Sequence, residues 1–81
     1  PFNPTTRIQF ELAAQENARL VIYDILGRSV RTLVNSAYKS GMHVINWNGT
    51  DNSGLPVSTG IYICQLKAGD FVDHKKMMII R

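Results

Sequence analysis

The chain is short of the residues that build chemistry. Cys64 is its only cysteine, which excludes an internal disulfide and leaves no second thiol for a zinc site. It stands in the apolar run Ile61-Tyr62-Ile63-Cys64 and reads as a small buried hydrophobe. The two histidines, His43 and His74, are far apart, with no carboxylate or cysteine at ligand spacing. Each reads as a surface or half-buried side chain. Acids number only six, and pairings such as Asp24 with Asp51 or Glu11 with Glu16 imply no enclosed acid/base site. Solvated carboxylates are the expectation, with no catalytic residue, no cofactor and no metal.

Long apolar runs are missing too. None approaches the ~18 residues of a membrane span, and no signal-peptide pattern opens the chain. The first residue is Pro1 rather than Met, so the expectation is the C-terminal fragment of a longer protein. Helical periodicity is absent over any stretch of ~10 residues. The best candidate, Phe10 to Leu20, is broken by Gln15-Glu16-Asn17, a group that fits a strand-to-strand turn. Charged residues make up 19%, and the basic ones are scattered; only Lys75 and Lys76 adjoin. No basic stripe or motif marks a nucleic-acid binder. The net charge of +3 favours solubility, with a weak preference for acidic surfaces.

What is there is β punctuation. The 81 residues, 44% of them hydrophobic, suffice for one small core. Short apolar runs alternate with turn clusters. The first strand is expected over about Thr6 to Ala13, with Ile8, Phe10 and Leu12 on one face and Arg7, Gln9 and Glu11 on the other. A second runs about Ala18 to Asp24, with Ala18, Leu20 and Ile22 on one face and Val21 and Tyr23 on the other. Leu26-Gly27-Arg28 turns the chain into a third, about Ser29 to Val34, followed by a polar connection from Asn35 to Ser40. A fourth, about Met42 to Trp47, puts His43, Ile45 and Trp47 on one face, and Trp47 is the expected core anchor. Asn48 to Pro56 is loop by composition. Its Asp51-Asn52-Ser53-Gly54 lacks the ligand spacing and closing acid of a calcium loop and reads as a polar turn. After a short element near Val57 come strands over Ile61 to Leu66 and Phe71 to Ile80. Such spacing predicts a two-layer antiparallel sandwich of about seven strands.

The last hairpin is apolar on both faces. If Tyr62, Cys64 and Leu66 point inward, Ile61 and Ile63 point out, together with either Met77 and Ile79 or Met78 and Ile80. The register stays open, because the turn around Gly69 can hold four or five residues. An apolar strip exposed this way is expected to be covered or used. Tyr23 and Trp47 are a conceivable sugar-stacking pair, with burial of Trp47 the favoured reading.

In order along the chain stand Pro1-Phe2-Asn3-Pro4-Thr5-Thr6, Val21-Ile22-Tyr23-Asp24-Ile25-Leu26-Gly27-Arg28, Gly41-Met42-His43, Trp47-Asn48-Gly49, Asp51-Asn52-Ser53-Gly54, Gly60-Ile61-Tyr62 and the closing Lys76-Met77-Met78-Ile79-Ile80-Arg81. This pattern resembles the C-terminal sorting domain of type IX secretion in Bacteroidetes and related bacteria. It equally resembles the immunoglobulin-like domain of the flagellar hook-capping protein. Cys64 departs from the sorting pattern, where an aromatic or aliphatic residue is usual. The first resemblance implies a monomeric immunoglobulin-like sandwich over 1–81, read in the folded state by an outer-membrane translocon, with a sortase-like peptidase as a further partner. It also implies a secreted or cell-surface location reached through the periplasm. The residues expected to meet the translocon are Gly60, Ile61, Ile63, Lys75, Lys76 and Arg81. The alternative is a structural or adhesive module: a hook scaffold or a carbohydrate-binding accessory domain.

Overall fold

The computed structural model describes residues 5–80. They form six strands: β1 (Thr6–Leu12), β2 (Glu16–Asp24), β3 (Ser29–Tyr38), β4 (Gly41–Trp47), β5 (Gly60–Ala68) and β6 (Phe71–Ile79). β1 and β4 make one antiparallel sheet, and β3-β2-β5-β6 make the other. The two layers close as an antiparallel sandwich, the expected fold, with six strands instead of about seven. Near Val57 there is no strand, only an isolated bridge between Thr50 and Pro56.

Period-two sequence explains the layers. Ile8, Phe10 and Leu12 of β1 are buried, and the residues between them are exposed. Trp47 at the end of β4 has no exposed surface, and Ala18, Leu20, Ile22, Tyr62, Cys64, Leu66 and Ala68 of the larger sheet share the core with it. Each large side chain removed from water in this way stabilises the fold by about 1.5–3 kcal/mol. The indole also donates a hydrogen bond from Nε1 to the Thr50 carbonyl at 2.9 Å, so its one polar atom is satisfied.

β3 runs four residues further than its alternation predicts, through Asn35 to Tyr38. The reason is two bulges. Leu20 faces Val34 but Val21 faces Thr32, and Ile22 faces Arg31 but Tyr23 faces Ser29. Leu33 and Val30 are the extra residues, and both pack half-buried against the core. Each bulge resets the side-chain period, and this erases the signal that alternation would carry. β2 likewise starts earlier than expected, at Glu16, because Glu16 and Asn17 pair with Tyr38 and Ala37.

The β5–β6 turn settles the open register. Ala68 pairs with Phe71, leaving a two-residue turn at Gly69-Asp70 rather than four or five. Gly69 sits at φ +59, as the first central position of a type II′ turn requires. Tyr62 therefore faces Met77, and Gly60 faces Ile79. Met77 and Ile79 turn inward, Ile79 almost fully buried, while Met78 and Ile80 are left exposed.

Loop 48–59 is stitched to the start of β3. Asn52 Oδ1 accepts from the Thr32 amide at 3.0 Å, and the Asn52 amide donates to the Val30 carbonyl at 3.1 Å. Arg31 donates to Thr50 Oγ1 and to the Asp51 carbonyl. Asp51 Oδ1 accepts from the Ser53 and Leu55 amides, which commits that oxygen to holding the turn.

Candidate interaction surface

The six residues expected to meet a partner do not form one cluster. Ile63 and Lys76 are direct cross-strand partners, and Ile61 pairs with Met78 beside them. These lie on the outer face of the four-stranded sheet. Gly60 opens β5 at the rim of that sheet, next to the loops. Lys75 points the other way. Its Nζ reaches under the sheet to donate to the Gln9 carbonyl on the free edge of β1, at 3.3 Å. Arg81 lies outside the described residues.

The outer face is a grid fixed by strand pairing. Met78 stands beside Ile61; Lys76, Ile63 and Tyr23 follow in the next row; then His74, Gln65, Val21 and Thr32; then Val72, Lys67, Arg19 and Asn35. Met78 is 61% exposed, Val72 47% and Ile61 37%. Val21, on this outer face as its parity requires, is nonetheless 2% exposed. Among the described residues it is the deepest apolar point of the face. The Gln65 amide nitrogen lies 3.1 Å from His74 Nε2, and as a donor it requires that ring nitrogen to be unprotonated.

No acid stands at an outward position of this sheet. Glu11 is on β1, Asp51 and Asp70 are in loops, and Glu16, Asp24 and Asp73 occupy inward parity, paired with Tyr38, Tyr62 and Leu66. Arg19 and Lys67 are directly opposed across β2 and β5. Like charges in that position weaken a sheet. Scattered basic residues of the sequence are thus brought to one face by folding; linear spacing carries no sign of it, since Arg19 and Lys67 become neighbours only through register, with Lys76 two rows further along the same face.

Two concave regions complete the surface. A cleft of about 750 Å³ at the loop end is lined by Asp24, Arg28, Asn52, Ser58, Gly60 and Tyr62, among others. In it the Arg28 amide, and after it the Arg28 guanidinium at 2.8 Å, bind the Asp24 carboxylate and hold its pKa below the usual carboxylate value against the opposing effect of burial. A narrower cavity of about 380 Å³ lies between β1 and β6, lined by Ile8, Phe10, Leu20, Cys64, Leu66 and Phe71, with Lys75 and Asp73 at its mouth. Burial there pushes the Cys64 thiol up to about 11, Lys75 opposing and Asp73 reinforcing the shift. His43 packs between Phe10 and Tyr38 and lies 2.7 Å from the Lys39 carbonyl. Trp47 is fully buried, so it cannot form a sugar platform with the half-exposed Tyr23.

Such a surface belongs to an immunoglobulin-like sandwich with a charged outer face. The profile of the FlgD Ig-like domain matches residues 2–70, and the chain belongs to that family. A solved structure of FlgD from P. aeruginosa superimposes with a TM-score of 0.76 at 19% identity, over 95% of this chain. The chain spans 62% of the length of that structure's chain. At this identity the likeness supports the fold. No curated protein matches the chain significantly.

Proposed function

We propose that this domain is a non-enzymatic structural module of the hook-scaffold type, carried within a larger protein and acting through a rigid, folded surface. The observation that carries this reading is the family match, which takes in β1 to β5 and the loops that connect them. A sandwich held by paired strands and a single core is suited to spacing and presenting surfaces. The test is domain replacement. The chain is placed in a hook-capping protein in exchange for its own Ig-like domain, and hook assembly is scored by electron microscopy. Hooks of normal length are the expected result; a stable, folded chimera that yields none overturns it.

One observation favours a second reading, that of a type IX sorting signal. β6 and the basic residues Lys75, Lys76 and Arg81 that flank its apolar run lie beyond the residues that the family profile covers. In this reading the folded domain is bound by the outer-membrane translocon through β6 and the outward residues Ile61, Ile63 and Lys76. A sortase-like peptidase acts afterwards, and the cargo ends outside the cell by way of the periplasm. A reporter with a signal peptide, fused ahead of Pro1 in a host with that machinery, would then reach the medium or the cell surface. Retention of a folded fusion in the periplasm of several such hosts leaves the scaffold reading alone.

A further inference from the structure

We propose that the outer face of the four-stranded sheet docks an amphipathic helix of a partner protein, its apolar side on the stripe of the face and an acidic flank against the cations. This goes beyond both readings above, neither of which specifies the chemistry of what the module holds. An apolar stripe crosses the face obliquely, from Met78 and Ile61 through Ile63 and Tyr23 to Val21. Cations line one flank of that stripe: Lys76, Lys67 and Arg19. The outward positions of the sheet hold no acid to neutralise them.

The arrangement is costly to the domain itself. Arg19 and Lys67 face each other directly, and the one ion pair among the described residues, Arg28 with Asp24, is elsewhere. A face built for solubility alone would mix signs and separate like charges. Supplied with carboxylates from outside, the same residues become complementary, and complementary potentials give on-rate and partner choice. Every strand under the stripe is paired on this sheet except at the outer edges of β3 and β6, so recognition is by side chains. A helix laid on the face matches that geometry, because helices and sheets bury their apolar sides against each other in layers.

Charge also decides between occupants. A second copy of this face would bring cations against cations. A membrane is disfavoured by the relief of the stripe. Val21 is recessed at 2% exposure, and beside it in the same row stand the polar, hydrogen-bonded Gln65 and His74, which insertion into lipid would strip of water.

The test uses the whole chain labelled with nitrogen-15. The probe is a synthetic helix of about 18 residues, five turns, with leucines at i, i+3, i+4 and i+7 and glutamates along one flank. Amide shifts confined to β2, β5 and β6 are expected. Affinity should fall at least about tenfold when salt is raised from about 0.05 to about 0.5 M, through shortening of the screening length. The triple variant R19E/K67E/K76E, shown by its melt to be folded, should lose binding and instead take up the same helix with lysines in place of glutamates. Absence of binding to the acidic helix, equal binding of the lysine helix by the wild type, or shifts centred on the β1–β4 sheet overturns the proposal. So does binding to phosphatidylglycerol vesicles in preference to the peptide. A failed hook chimera leaves this result untouched, since the titration does not involve the hook.

Discussion

Trp47 and Tyr62 meet edge to face across the sandwich, their ring centroids 5.5 Å apart and their planes at 70°. One comes from the small sheet and the other from the large, and each ring is tethered by its polar atom. The indole donates to the Thr50 carbonyl, and the Tyr62 hydroxyl donates to the Ser58 carbonyl at 2.7 Å. The pair thus locks both layers to the loop between β4 and β5. Trp47→Ala should cost about 3–5 kcal/mol, most of the stability of a domain this small. Tyr62→Phe keeps the ring and removes only the hydroxyl bond, and should cost about 0.5–1.5 kcal/mol. Urea melts of the two variants, giving well-separated midpoints, check both values.

Gly27 and Gly60 are both expected from the sequence to occupy places where a Cβ is unwelcome, and the structure separates them. Gly27 holds φ +83 in the turn between β2 and β3. Gly60 has no positive φ, and an added Cβ would only touch Tyr62 at 4.0 Å, ordinary contact. Gly27→Val should therefore destabilise by about 1–2 kcal/mol through strain. Gly60→Ala should be neutral or slightly stabilising, by about 0.4–1 kcal/mol at most. Thermal melts that rank the two variants the other way would contradict this.

The buried Cys64 makes the fold sensitive to alkali. Its native pKa stands above that of a free thiol, so the folded state holds the proton more tightly. The contribution is whole below the unfolded thiol value, about 8.5, and is lost as pH rises toward the native value. Over that window the slope from this group reaches about 1.4 kcal/mol per pH unit. Unfolding free energies at a series of alkaline pH values should fall more steeply for the wild type than for Cys64→Ala. Parallel curves would show that the thiol does not titrate differently in the two states.

The opposition of Arg19 and Lys67 predicts a variant that gains stability. Lys67→Glu converts a like-charge cross-strand pair into an attractive one and should add about 0.2–1 kcal/mol, more at low salt than at high. The same substitution should weaken the acidic-helix probe. Equilibrium unfolding at two ionic strengths reads the first effect separately from binding.

Alternation made much of this fold legible. β1, β4 and the inward side of β5 follow a strict period of two, and Ile8, Phe10, Trp47, Tyr62 and Leu66 are where that period puts them. It fails at β3, where Leu33 and Val30 are inserted by bulges, so Asn35 to Tyr38 read as loop although they pair with β2. The register of β6 was hidden for a different reason. Met77, Met78, Ile79 and Ile80 are all apolar, so only the two-residue turn at Gly69-Asp70 decides which pair points inward. For the surface, Ile61, Ile63 and Lys76 were visible in sequence as a strip beside a basic end. Arg19 and Lys67 were not, because they join that surface only through the pairing of β2 with β5.

β5 sits between β2 and β6, and it is the second to last strand in chain order. The four strands of residues 6–47 form two separate pairs, β1 with β4 and β2 with β3, whose apolar sides share one core in the finished fold. Tyr62, Cys64, Leu66 and Ala68 must arrive before the apolar sides have a lid. The β2–β5 contacts span some forty residues of chain, as between Ile22 and Cys64, so closure waits on a long loop. A chain cut before Gly60 would lack that lid, so it should fail to hold the closed sandwich.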